Sequence, residues 1–231
     1  MAGSIRGREP ELMVMPNQVP DFISPVIDIN LVACMHFTRI ALAYLVQNAT
    51  PEDSGFKSIT LVSSVAGFKE SPGLVSYSAS KAGVIGLMRS LRLLTVAQFG
   101  VRVNVILPWA TDTPMIGQAV RIFRENRIPL NTADDIAYII QHLSGDVDAH
   151  GYSVYCAGGI FVNIEGGLDR TEPQWLGEKH ARDLRLGQKT LGEVRPSRML
   201  QNAPLFADLC AGYKLEPGTH MMGPDQFRLF K

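Results

Sequence analysis

Cysteine is scarce in this chain of 231 residues. Cys34, Cys156 and Cys210 are odd in number and far apart, which argues against a disulfide framework and against a zinc site. Net charge is lacking as well: Lys+Arg 22 balance Asp+Glu 22, unlike the basic surplus of a general nucleic-acid or anionic-membrane binder. The five histidines, His36, His142, His150, His180 and His220, have no ligand-like spacing, so no metal is expected. The N-terminal twenty residues are broken by charges and prolines and hold no apolar run long enough for a signal peptide. The most apolar stretch, residues 29–46, carries His36 and Arg39 and falls short of a clean membrane span. No internal repeat or low-complexity run is present. These absences predict a soluble protein of a reducing, cytoplasmic compartment, with neither nucleic acid nor membrane as partner. The composition, 46% hydrophobic and 19% charged, is ample for a buried core. The length fits one domain, or one domain with an appendage.

Three zones separate along the chain. Residues 1–25 are punctuated by Pro10, Pro16, Pro20 and Pro25 around the short apolar patch 12–15, a strand fragment at most. From residue 26 to 169, strands and helices alternate. Apolar residues at Ile27, Leu31, Met35, Leu42 and Leu45 recur with helical spacing over 26–47. Residues 58–62 (SITLV) read as a strand entering the small-residue turn 63–67, and residues 76–99 as a long helix stopped by Gly100. The alternating run 101–107 is a strand halted at Pro108. Thr132 caps a helix through Leu143, with Asp134 and Asp135 in its first turn, and 152–156 is a further short strand ended by Gly158 and Gly159. Strands spaced by such helices imply parallel βαβ units. In the third zone, 170–231, the pattern loosens. Ten Lys and Arg against seven Asp and Glu make it mildly basic, with helices expected near 174–186 and 204–213.

The chemistry concentrates in the middle zone. Tyr77 and Lys81, four apart at the start of a helix, share one face. A phenol with a pKa near ~10 is a poor base at neutral pH, but a neighbouring ammonium favours the phenolate and makes the tyrosine a usable general acid/base. Ser64 ends a strand, where the C-terminal edge of a parallel sheet faces a ligand crevice, so its hydroxyl can meet a substrate oxygen beside Tyr77. Taken alone, a Tyr-x-x-x-Lys pair is a weak signal, equally a surface tyrosine and lysine.

The order of five segments is far more specific. Residues 26–169 resemble the short-chain dehydrogenase/reductase family. VIDINLVACMHFTRIAL is similar to its central helix, with Asn30 at the position of the catalytic asparagine. SITLVSSVAG resembles the strand and turn of the catalytic serine, and the thirteen-residue gap to Tyr77 selects Ser64 over Ser63. YSASKAGVIGLMRSL matches the catalytic helix, VRVNVILPWATDTPM the strand and loop over the nicotinamide, and residues 131–159 the last helix and strand. The resemblance implies a Rossmann-type α/β fold and hydride transfer between NAD or NADP and a secondary alcohol/ketone pair. It gives Tyr77 the proton transfer, Lys81 the lowering of its pKa and the nicotinamide ribose, and Ser64 the substrate oxygen. Asn30 would hold a water that relays protons to Lys81. Pro108, Thr111 and Thr113 would border the nicotinamide. It also implies a homo-oligomer through the Asn30 and Tyr77 helices. There, Ala79, Ala82, Gly83 and Gly86 permit close packing, between subunits or within one.

The chain departs from the family pattern at two places. Trp109 follows Pro108 where glycine is usual. That pair resembles a subset from fungal natural-product pathways and hydroxyprostaglandin dehydrogenase-like members, implying secondary metabolism. Trp109 then lines an apolar substrate pocket, or is simply a packed loop tryptophan. In addition, no G-x-G-x-x-G or G-x-x-x-G-x-G precedes Asn30, and Pro16-Asn17-Gln18 substitutes poorly for the family's Asn-Asn-Ala-Gly turn. The first three strands and most of the fourth are therefore expected to be missing, with an exposed sheet edge and weak or absent dinucleotide binding. The resulting division is an N-terminal remnant (1–25), the catalytic half of a Rossmann-type domain (26–169) and a C-terminal extension (170–231). An oxidoreductase is the leading reading. A catalytically silent, truncated relative that only associates with other chains is the contrasting one.

Overall fold

The computed structural model describes residues 23–47, 56–117 and 119–201, with the side chains of Ile23 and residues 192–201 left aside. The patch 12–15, the Pro16-Asn17-Gln18 turn and the helix expected near 204–213 lie outside the described residues.

Four strands form one sheet in the order β1-β2-β3-β4: β1 (Lys57–Val62), β2 (Val101–Pro108), β3 (Ser153–Ala157) and β4 (Ile160–Asn163). β1, β2 and β3 are parallel, as the βαβ pattern predicts. β4 is a departure. It returns antiparallel to β3, because Gly158 and Gly159, at φ 57° and 78°, make a two-residue turn that L side chains disfavour. A reading that takes the glycine pair as a strand end misses the hairpin it builds.

β2 is the centre of the molecule. Its odd positions, Val101, Val103, Val105 and Leu107, are fully buried in a cluster with Val84, Ile85 and Met88 of the long helix α3 (Val75–Phe99). Its even positions face α5 (Ala133–Gly145). Ile106 is apolar there, joining Ile139 and Leu143, but Arg102 and Asn104 are polar and completely buried. Arg102 donates to the carbonyls of Leu143 and Ala149 at 2.7 and 2.8 Å, and to that of Ser144 at 2.8 Å. The guanidinium thus closes the C-terminal end of α5, whose last carbonyls have no partner within the helix. At the other end, Thr132 and Asp135 form the capping box that the sequence foreshadows.

The helix before β1 is continuous. α1 (Ile23–Ile27) and α2 (Ala33–Gln47) are joined by a π-helical stretch, Asp28–Val32, that the recurrence of apolar residues does not reveal. Ser24–Gln47 and Val75–Phe99 are both long and apolar enough to cross a membrane, so the first meets a criterion it was expected to miss, since His36 and Arg39 interrupt it too little. Core helices of soluble folds pass the same test, and α3 packs along β2. The small residues of α3 divide between two surroundings. A Cβ on Gly83 would meet the Leu31 side chain at 2.7 Å, whereas one on Gly86 would meet nothing within 4 Å. Close packing at Gly83 is therefore internal to the chain.

Three further helices complete the described part: α4 (Ala119–Glu125), α6 (Glu165–Leu176) and α7 (Glu178–Gln201). The helix expected near 174–186 is two helices broken at Gly177, and the expected boundaries at 25 and 169 fall inside α1 and α6. α6 is tied to α3. The buried Glu165 accepts from Arg89 Nε at 3.0 Å, from Arg92 Nη1 at 3.1 Å and from Ser153 Oγ at 2.6 Å. Burial opposes ionisation of Glu165, but these donors and the two arginine charges outweigh it and hold the carboxyl below its usual range.

Replacing Arg102 with alanine removes the donor to the Leu143 and Ser144 carbonyls and leaves Ala149 with Asn104 alone, and we expect a loss of about 3 kcal/mol. The urea midpoint of the full chain measures it; an unchanged midpoint would contradict the anchoring role.

Candidate active site

The parallel strands point their C-terminal ends at a cavity of about 530 Å³. Two of them deliver the site. β1 ends at Val62, and Ser63, in the next position, donates its hydroxyl to the carbonyl of Lys81 at 2.7 Å. The turn then crosses α3 so closely that a Cβ on Gly67 would lie 2.8 Å from the carbonyl carbon and oxygen of Lys81. Only glycine fits there. This crossing sets Ser64 beside Tyr77 on the wall of one cavity, and the Ser64 hydroxyl favours the phenolate. Ser64 Oγ also accepts from Ala66 N–H at 3.2 Å, which leaves its proton directed away from the backbone.

Lys81 is buried one turn below Tyr77. Its ammonium donates to the Val62 carbonyl at 3.2 Å and stands 5.5 Å from the centroid of the Tyr77 ring. The expected lowering of the tyrosine pKa is not what this packing produces. Burial pushes the Tyr77 phenol up, only partly offset by the Ser64 hydrogen bond, and burial likewise pushes Lys81 down. With the ammonium over the ring rather than at the oxygen, desolvation outweighs attraction.

The residues expected to border a nicotinamide lie in the same cavity. Pro108, Thr111 and Thr113 line it opposite Tyr77 and Lys81, as does Trp109. The fold over this wall is fixed by Asn131, fully buried, which donates to the carbonyls of Cys156 and Trp109 and accepts from Gly158 N–H at 2.8 Å. Sequence reasoning passes over Asn131, and also Phe123 of α4, whose ring lies 5.8 Å from that of Trp109. The signal was available only as an isolated asparagine before a helix cap. Asn30 is placed differently. It does not line the cavity but sits behind α3, where its amide donates to Ser80 Oγ at 3.2 Å, and Ser80 in turn donates to the Tyr77 carbonyl at 2.7 Å. Among the described residues none beyond Ile136 borders the cavity, so the described part of the C-terminal extension does not cover it.

Residues 12–121 match the family model for short chain dehydrogenase. The chain is 31% identical over 165 residues to a 5'-hydroxyaverantin dehydrogenase of Dothistroma septosporum, covering 66% of this chain and 51% of that one. Over these residues the chain is similar to the short-chain dehydrogenase/reductase family. Another relative in the family, a 3-oxoacyl-[acyl-carrier-protein] reductase of Thermotoga maritima, is 33% identical over 149 residues, covering 62% of this chain and 55% of the relative. The chain thus spans about half the length of these curated relatives. Among solved structures, a 4-hydroxyisoleucine dehydrogenase complexed with NADH aligns with a TM-score of 0.53 and 26% identity, over 68% of this chain and 66% of that one. That neighbour is bound to NADH.

Lys81 costs the fold a buried cation with one carbonyl partner and a ring face. Lys81→Met should therefore leave the melting temperature unchanged or raise it. Calorimetry of the variant checks this; a large drop in melting temperature would show that Lys81 is structural.

Proposed function

We propose that the protein is an NAD- or NADP-dependent oxidoreductase that interconverts a secondary alcohol and a ketone, in secondary metabolism. The observation that carries this reading is that Tyr77, Ser64 and Lys81 line one cavity together with Thr111 and Thr113. In the reductive direction Ser64 and Tyr77 hold the substrate carbonyl oxygen. The reduced dinucleotide supplies the hydride that the carbonyl carbon accepts. Tyr77 gives its phenolic proton to the oxygen, so an alcohol leaves and a phenolate remains. Lys81 stabilises that phenolate and returns a proton to it, with Asn30 continuing the proton path as a water-holding residue. Asn30 also positions the catalytic helix through Ser80.

The raised pKa of Tyr77 favours this direction, because the phenol is held protonated and ready to donate at neutral pH. We expect kcat/KM for ketone reduction to be flat through neutral pH and to fall only above the ordinary phenol range, because burial holds the phenol protonated. A fall between pH 6 and 8 would point to a different acid.

The deciding experiment is Tyr77→Phe in the full chain, followed by NADH and NADPH fluorescence titration and by turnover of a secondary alcohol panel. Turnover should drop at least ~100-fold with dinucleotide affinity unchanged, as for loss of a general acid. Retained turnover would refute the assignment.

Self-association through the Asn30 and Tyr77 helices is part of the same proposal. It is supported by the exposed apolar residues Ile29, Met35 and Phe37 on one helix and Val75 and Leu93 on the other.

A further inference from the structure

The cavity is chemically mixed. Its lining includes the hydroxyls of Ser64 and Tyr77. Trp109, Met115, Ile116, Phe123 and Ile136 add large apolar side chains to the same lining, beside the hydroxyls of Thr111 and Thr113. Trp109 and Phe123 meet at a tilt of 47° with centroids 5.8 Å apart, a geometry in which two rings present a broad hydrophobic surface. Lys81 is the one charged side chain among the described lining residues, and its ammonium is engaged by the Val62 carbonyl and the Tyr77 ring. The arginines of α4 offer no free cation at the rim. Arg124 pairs with Asp112 at 2.5 Å, and Arg121 with Glu125 at 2.6 Å.

We infer that the substrate is a neutral, ring-bearing alcohol or ketone, and that Phe123 together with Trp109 selects it. This rests on the oxidoreductase reading for the reacting oxygen at Tyr77. A carboxylate, phosphate or thioester-linked carrier would bring charge or a long polar arm against a wall that returns no counter-charge, and burial of an unpaired anion is strongly unfavourable. A neutral ring system loses nothing on entering and gains the aromatic surface of the pair. The Asp112–Arg124 ion pair joins the Trp109 loop to the helix that carries Phe123.

Binding alone tests the inference, so its failure is separable from that of the oxidoreductase reading. The two tryptophans are Trp109 and the exposed Trp175, so Trp175→Phe leaves Trp109 as the sole reporter. The full-length Trp175→Phe protein is titrated with 2-decalone, a neutral bicyclic ketone, and with the decahydronaphthalene-2-carboxylate anion, with and without NADH. Decalone should change Trp109 emission saturably, with a Kd at least ~10-fold lower than that of the anion. Adding Phe123→Ala should raise the decalone Kd about 10-fold, and Phe123→Leu, which keeps apolar bulk, by less. Equal or tighter binding of the anion, no saturable change with decalone, or an unchanged Kd in both Phe123 variants with far-UV circular dichroism intact would overturn the inference. Decalone binding at Trp109 with no oxidation of NADH or NADPH on any ketone would instead sink the oxidoreductase reading and leave the binding site standing.

Discussion

The site depends on one close crossing, that of the turn after β1 over the backbone of α3 at Lys81. Three contacts lock it: Ser63 N–H to the Ile106 carbonyl, Ser63 Oγ to the Lys81 carbonyl, and Gly67 pressed on that same peptide group. Each involves backbone, so the crossing is insensitive to side-chain rotamers elsewhere. A helix crossed at Lys81 brings to the strand end both the side chain at the crossing and the one a turn earlier. Tyr77 therefore reaches Ser64, and Lys81 reaches the Val62 carbonyl, as geometric consequences of the same contact. The serine next in line, Ser63, is used up as the clamp. The spacing argument that prefers Ser64 over Ser63 has this physical basis.

The sheet provides the rigidity that the crossing needs. β2 is buried on both faces, with valines against α3 and a polar pair, Arg102 and Asn104, against the α5 end and the loop before β3. Such a strand cannot shift register without exposing the valines or stranding the guanidinium. Its last residue, Pro108, opens the Trp109 wall, so the site's two sides are referred to adjacent strands of one sheet: Ser64 to β1 and Trp109 to β2. Asn131 completes the frame by bonding the ends of β2 and β3 at once.

What the sequence discloses and what it hides follow from the range of the interactions. Helices α3 and α5 and strands β1 to β3 are legible because their signals are local: apolar periodicity, a Thr132 cap, a Gly100 stop. The Tyr77, Lys81 and Ser64 grouping is legible because helix geometry and strand position carry it. β4 is hidden because a glycine pair reads equally as an end or as a turn. The π-helical stretch is hidden because one extra residue per turn leaves the apolar pattern nearly unchanged. Arg102 reads as the polar member of an alternating strand, and only its burial reveals that it anchors α5. Phe123 and Asn131 belong to the cavity through long-range packing, which no local pattern encodes.

The charge states of the pair deserve a physical account, since they run opposite to the simplest expectation. A lysine near a tyrosine lowers the phenol's pKa only if the ammonium is closer to the oxygen, and better solvated or paired, than burial is costly. Here the ammonium faces the ring and the Val62 carbonyl, and both groups are desolvated, so each is driven toward its neutral form. Neutral phenol and a lysine inclined to release its proton suit the proposed reduction, in which one proton is delivered and the donor then refilled. The refilling step alone needs the ammonium, and it is then that a phenolate stands beside it to repay the desolvation of both charges. The same burial that opposes a resting phenolate thus strengthens the attraction that stabilises a transient one.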